Sequence, residues 1–98
     1  MTKLFTEKTL KRDRIQLLAD IIKASEKKSN MSRIMRLANV QYYAWGKCIE
    51  TLDQKDFIEI IENDMRGNSN EKILFRATKK GLDWTKKVET VYDEIDHR

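Results

Sequence analysis

The sequence predicts a mostly helical α+β domain made of three helices, a two-stranded hairpin and a long closing helix. Three observations lead there. Apolar residues recur three and four apart over residues 11–54. The pattern then changes to two short runs rich in Ile and Phe around a Gly-Asn-Ser-Asn turn, and a helical rhythm returns after residue 78. At 98 residues there is room for one core, and a hydrophobic share of 40% is enough to fill it.

The first helix is expected over residues 11–24, where Ile15, Leu18, Ala19, Ile21, Ile22 and Ala24 fall along one face. The polar run 25–30 ends it and reads as a connection. Ser29 or Asn30 can cap a short second helix over 31–38, with Ile34, Met35, Leu37 and Ala38 available for burial. Asn39 and Val40 interrupt again. A third helix is expected over 41–54, with Trp45, Cys48, Ile49 and Leu52 as its inward stripe. The strands are expected over 57–64 and 71–78, joined by the polar loop 65–70, with their register open because neither alternates cleanly. Thr78 can cap the last helix, which runs to about residue 96. The chain contains no proline, no internal repeat and no low-complexity segment.

Charge narrows the function. Residues 1–55 carry twelve basic and six acidic side chains, whereas residues 56–98 carry eight and ten. A basic front half on a chain of net charge +4 suits a polyanion partner, although a charged helical surface has the same composition. No apolar run approaches the roughly 18–20 residues of a membrane span. The first thirteen residues lack the roughly 7–15-residue apolar segment of a secretory signal, so a cytoplasmic setting is expected. The single Cys48 cannot form an internal disulfide and packs best as a small hydrophobe. With His97 as the only histidine, neither a zinc site nor a Ser/His/Asp or Cys/His set can be assembled. Glu59, Glu62 and Asp64 belong to a strand expected to be solvated. No enzyme activity, metal or cofactor is expected.

Three helices followed by a two-stranded wing is the order of a winged helix-turn-helix. The very short turn between the second and third helices is what that motif requires. A small α+β domain whose helix pair merely packs would show the same order. The expected division is 1–78 for the winged part and 79–98 for a C-terminal helix of the same single domain.

Particular residues add a resemblance. Ile34-Met35, Ala38-Asn39 and Tyr42, followed by Trp45, Ile49, Leu52 and Phe57-Ile58, and then Thr78, Lys80 and Gly81, form one series. It resembles the archaeal winged helix-turn-helix family that includes the ten-a chromatin proteins and related small regulators. The likeness extends from residue 11 to about residue 92. It implies a DNA-binding protein, either a transcriptional regulator or a chromatin-associated protein, whose third helix reads the major groove. Asp56 departs from the family's usual Gly after that helix, Gln41 from its Ser, and Tyr43-Ala44 from commoner polar residues. Gly46, within the helix, costs about 1 kcal/mol against Ala. These departures fall on or near the reading surface and leave the target sequence open.

If the third helix buries its apolar stripe, Gln41, Tyr43, Ala44, Lys47 and Thr51 lie opposite. Gln can bond adenine, Lys can reach guanine or phosphate, and Ala can touch a thymine methyl. Tyr43 can stack or bond a phosphate oxygen, or pack against the first helix. Tyr42 occupies a family position that looks structural. Arg33 and Arg36 on the second helix are placed to cross the phosphate backbone, and Lys27 and Lys28 add sequence-independent attraction. In the wing, Arg66, Asn68, Asn70 and Lys72 suit the adjacent minor groove, although the asparagines can simply build the turn.

In the last helix, Gly81, Trp84, Val88, Val91 and Ile95 recur at 3-4-3-4 spacing, the rhythm of a coiled coil. Trp84, Val88, Val91, Tyr92 and Ile95 are therefore expected at a homodimer interface, although Leu82 and Trp84 can also pack on the parent domain. The reading with most support is a dimeric, nucleoid-associated winged-helix protein bound to double-stranded DNA. The alternative is a winged-helix module that binds protein, which an exposed apolar patch over the second and third helices would favour. RNA binding lacks an aromatic stacking platform on a sheet.

Overall fold

The computed structural model describes residues 13–62 and 73–96, and its first helix, α1 (Arg14–Ala24), starts on an Asp13 cap. Asp13 Oδ1 accepts the Gln16 amide at 2.8 Å, which satisfies one of the amides a helix start leaves open. Leu18, Ala19, Ile21 and Ile22 are buried. Ile15, counted in the same stripe, is 50% exposed because the whole first turn lies outside the core. At the other end the buried Ser25 hydroxyl donates to the Ile21 and Ile22 carbonyls at 2.9 and 3.0 Å, and the Ser25 carbonyl accepts the Ala77 amide at 2.7 Å. A fully buried polar residue is thereby satisfied, as burial demands.

The run expected as a plain connection contains a strand. Ser29–Asn30 forms β1. Asn30 then caps α2 (Met31–Ala38), its Oδ1 accepting the Arg33 amide at 2.9 Å. Ile34 and Ala38 are buried, but Leu37 is 54% exposed, contrary to its expected place in the core. Asn39 ends α2 with a left-handed backbone, φ 56° and ψ 54°, and the Val40 amide returns to the Met35 carbonyl at 2.9 Å. Asparagine tolerates that conformation better than other non-glycine residues, and Val40 is buried beyond it.

The third helix, α3 (Tyr42–Gln54), begins one residue later than expected. Gln41 has an extended backbone and makes no capping bond with its side chain. Trp45, Cys48 and Leu52 are buried, with Ile49 partly covered beside them. Asp56 follows at φ 61°, in the left-handed region that glycine adopts most readily. The Phe57 amide reaches back to the Leu52 carbonyl at 2.9 Å and the Asp56 amide to Asp53 at 3.1 Å, so the helix ends in the same paired manner as α2.

Among the described residues the hairpin strands are β2 (Ile58–Glu62) and β3 (Ile73–Ala77), and the expected positions 63–64 and 71–72 lie outside the described residues. They pair antiparallel from Ile58 opposite Ala77 to Glu62 opposite Ile73. β1 adds to the far side of β3, with Ser29 opposite Phe75, giving the sheet order β1-β3-β2. Phe57 and Thr78 fall outside the strands because both serve the junction with the last helix, α4 (Lys79–Asp96). The Thr78 hydroxyl oxygen accepts the Gly81 amide at 3.0 Å, and the hydroxyl donates to the Asp56 carbonyl at 2.7 Å. The core between helices and sheet is centred on Trp45 and Phe75, whose rings meet edge to face at 5.4 Å.

α4 packs along α1. Lys23 Nζ lies 2.6 Å from Glu89 Oε2, and this bond holds the ammonium above its ordinary pKa. The Tyr92 hydroxyl bonds Asp13 Oδ2, which holds that carboxyl below its usual range with help from the Gln16 amide. Two of the residues assigned to a dimer seam need correction. Trp84 stacks on Phe57 at 5.1 Å, and Val88 is only 9% exposed within its own chain. Their apolar surface is covered by the parent domain because the first half of α4 lies against it. The exposed part of the stripe is Val91 at 51% and Ile95 at 68%, with Tyr92 half-buried.

Gly81, first in that stripe, has a different task. A Cβ there would stand 2.1 Å from the Phe57 carbonyl oxygen and 2.9 Å from its carbon, so backbone would have to move. Gly81→Ala is expected to cost about 1–3 kcal/mol or more, read as a lowered denaturation midpoint. A variant as stable as the parent would show that α4 can shift away from Phe57 freely.

Candidate nucleic-acid interface

The short link Asn39–Gln41 between α2 and α3 brings the exposed sides of both helices onto one continuous stretch of chain. On α2, Arg33 and Arg36 are exposed. Neither takes part in the ion pairs found among the described residues, which join Lys23 to Glu89 and Arg76 to Glu59. Lys27 and Lys28 are exposed just before β1. On α3, Gln41, Tyr43, Gly46, Lys47 and Glu50 are exposed, with Tyr43 at 85%. The open position of Tyr43 removes the reading in which it packs on the first helix.

Three assignments change. Ala44 is half-buried and packs against the core, so its methyl faces inward more than a base contact allows. Thr51 is half-buried, accepts a bond from Arg14 Nη2 at 2.9 Å and donates to the Lys47 carbonyl at 3.0 Å. Tyr42, set aside as structural, is 74% exposed. The family position misled there, and the helix start supplies the correction. Tyr42 is the first residue of α3, where a side chain has no preceding turn to lie against. Arg66, Asn68, Asn70 and Lys72 lie outside the described residues.

Electrostatics divide the two helices. α2 carries Arg33 and Arg36 and no acidic residue, whereas α3 sets Lys47 against Glu50 and Asp53. The cations that could grip a polyanion therefore sit on α2 and the preceding lysines, and the exposed start of α3 is polar and aromatic. An open depression lies beyond the far end of α3, lined by Asp53, Asp56 and Glu59 together with Arg76 and Lys79, and Arg76 pairs with Glu59. Among the described residues no group of three or more His, Cys, Asp or Glu is placed to hold a metal, and no helix is long and apolar enough to cross a membrane.

A family model described as winged helix-turn-helix matches residues 11–96. The chain belongs to the winged helix-turn-helix family.

Solved structures share the fold. The chain is similar to the DNA-binding protein Sso10a-2 from Sulfolobus solfataricus at a TM-score of 0.66 and 17% identity, over 86% of this chain and 85% of that one. It is similar to the transcriptional regulator BldR from the same organism at a TM-score of 0.62 and 18% identity, covering 82% of this chain and 59% of that one. Lactococcus lactis ZitR, as a C30AH42A mutant, gives a TM-score of 0.58 and 17% identity, covering 86% of this chain and 55% of that one. This winged helix-turn-helix chain thus spans less than two thirds of BldR and ZitR and most of Sso10a-2. No curated protein matches its sequence.

Within the winged helix-turn-helix, Asn39 sets the angle at which α3 leaves α2. Asn39→Gly should fold with nearly unchanged stability, since Gly takes φ 56° without steric cost. Asn39→Val should lose about 1–2 kcal/mol against the Gly variant in chemical denaturation. Equal stability of the two would mean that the turn relaxes out of the left-handed region.

Proposed function

We propose that this protein binds double-stranded DNA as a homodimer, acting as a transcriptional regulator or a chromatin-associated protein on the nucleoid in the cytoplasm. The observation that carries the reading is the exposed cation set Arg33 and Arg36 on α2, flanked by Lys28 and by Lys47 on α3. None of the four is taken up in an ion pair among the described residues. The names of Sso10a-2 and BldR, a DNA-binding protein and a transcriptional regulator, agree with it. Residues 1–78 are the DNA-binding part in this reading, with Gln41, Tyr43 and Lys47 at the major groove and Arg66, Asn68 and Lys72 in the wing. Ala44 contributes packing rather than contact. Nothing in the proposed mechanism asks for catalysis.

The test is salt dependence. Affinity for duplex DNA should fall linearly with log salt, and Arg33→Ala, Arg36→Ala or Lys47→Ala should each reduce the slope by about 0.9. Binding that ignores salt would remove the DNA reading. A protein-binding module is the second reading, favoured by the exposed apolar surface of Leu37, Tyr42 and Tyr43. It would show partner binding unaffected by the same three substitutions.

Dimer assembly belongs to residues 79–98 in the proposal, through Val91 and Ile95 with Tyr92 at the margin. Trp84 and Val88 support the helix from within the protomer. Changing Val91 and Ile95 to Lys should give a folded monomer in sedimentation and weaken DNA binding by about 10²–10⁴ through loss of linked half-sites. A wild type that already sediments as a monomer, or a variant that stays dimeric, would exclude α4 as the assembling element.

A further inference from the structure

Two aromatic residues stand apart from the rest. Among the described residues, Trp45 pairs with Phe75, Phe57 stacks on Trp84, and Tyr92 bonds Asp13. Tyr42 and Tyr43 meet no other ring and are 74% and 85% exposed. As the first two residues of α3 they have no preceding turn to lie against. Helical side chains lean toward the N-terminus, so both rings project over the link Asn39–Gln41. Neighbouring helical positions differ in direction by about 100°, so the rings fan apart and their faces stay open. The end of α2 borders the same link. The Asn39 amide bonds the Arg36 carbonyl at 3.3 Å, Arg36 is exposed, and Leu37 beside it is 54% exposed. From Lys27 to Ile49 the chain carries Lys27, Lys28, Arg33, Arg36 and Lys47, all exposed, and no carboxylate. So one-sided a rim is complementary to a polyanion rather than to a protein surface of mixed charge.

A duplex keeps its base faces stacked inside and offers only edges and phosphates. What an open tyrosine ring adds is a π-face, and its match is the face of a base that has left the stack. We infer that Tyr42 and Tyr43 form a stacking platform for unpaired bases of a single nucleic-acid strand, with Arg33, Arg36 and Lys47 attracting its phosphates. Opened DNA and RNA both supply such a strand. The inference goes beyond duplex binding, since it shares the cations of that reading but uses neither a groove nor base edges. The stacking surface that the sheet lacks is placed at the start of a helix instead. Every base has a π-face, so the platform tolerates any sequence.

The experiment separates bases from phosphates. A dT oligonucleotide of about ten residues is titrated at fixed salt beside an abasic strand of equal length, which keeps the phosphates and lacks the bases. An rU strand of that length is the RNA counterpart. The wild type should bind dT or rU at least about fivefold more tightly than the abasic strand, the worth of one stacked base. Tyr42→Phe with Tyr43→Phe should keep that ratio, because stacking needs the ring and not the hydroxyl. Tyr42→Ala with Tyr43→Ala should bring it to near one, while the residual binding still weakens with salt through the cations. Tighter binding of dT identifies opened DNA as the source of the strand and tighter binding of rU identifies RNA, and either supports the platform. A wild type that binds all three strands alike, with salt-dependent duplex binding intact, overturns the platform and leaves the duplex reading standing. A ratio that survives in the double Ala variant also overturns the platform. Failure to bind any strand or duplex overturns both.

Discussion

The architecture depends on one crowded junction at Phe57. Its amide closes the end of α3 on Leu52, its carbonyl accepts the Thr78 amide at 3.1 Å, and its ring stacks on Trp84. The Lys80 ammonium lies over the same ring, 5.9 Å from its centre. Four elements therefore meet through one residue: the end of α3, the start of β2, the end of β3 and the first turn of α4. The approach is so close that only glycine fits at position 81. Moving Phe57 would shift the reading helix relative to the sheet and to α4 together. This couples the placement of α3, the helix proposed to read DNA, to the direction of the helix proposed to assemble the dimer.

The two ends of the reading helix are set by the same device. Asn39 and Asp56 are the positive-φ residues other than glycine among those described, and each reverses the chain so that an apolar residue, Val40 or Phe57, folds back on the core. Neither is a glycine, so each turn carries a steric cost that the buried neighbour has to offset. α3 is thus held by backbone geometry at both ends and by Trp45, Cys48 and Leu52 between them. Its exposed side chains contribute little to that hold. They are free to be chosen for what they touch.

Much of this fold was legible in the residues, and the misses have physical causes. Helix spans, the Asn30 and Thr78 caps and the hairpin followed from period and capping chemistry, which act within a few residues. β1 was missed because two residues carry no period, and only the distant Phe75 and Leu74 make them a strand. The far end of the α4 stripe is exposed as expected, and of the two readings open for Trp84, a dimer seam or packing on the parent domain, the structure shows the second, with Val88 buried beside it. A 3-4 spacing cannot tell which part of a long helix the body covers. On α3, Tyr42, set aside on its family position, is exposed and Ala44, placed opposite the apolar stripe, is half-buried. Ala44 sits at the border of that stripe, and Tyr42 precedes the packing that would cover it. Leu37 likewise follows its helical period while lying past the edge of the core.

The charges assign separate tasks to the two helices. α3 carries more carboxylates than cations, and Asp53 sits in its last turn with no basic residue there, against the helix dipole. Glu50 and Asp53 therefore make the C-terminal half of α3 unfavourable to phosphate, while the depression beyond it mixes carboxylates with Arg76 and Lys79. On this side of the domain the exposed cations are Arg33 and Arg36, Lys27 and Lys28 ahead of α2, and Lys47 on α3. In the proposed reading, a duplex drawn to α2 meets the first two turns of α3, where Gln41, Tyr42, Tyr43, Gly46 and Lys47 are exposed. The carboxylates Glu50 and Asp53 then favour contact through the start of α3 over contact through its end, and Lys47 supplies the cation there.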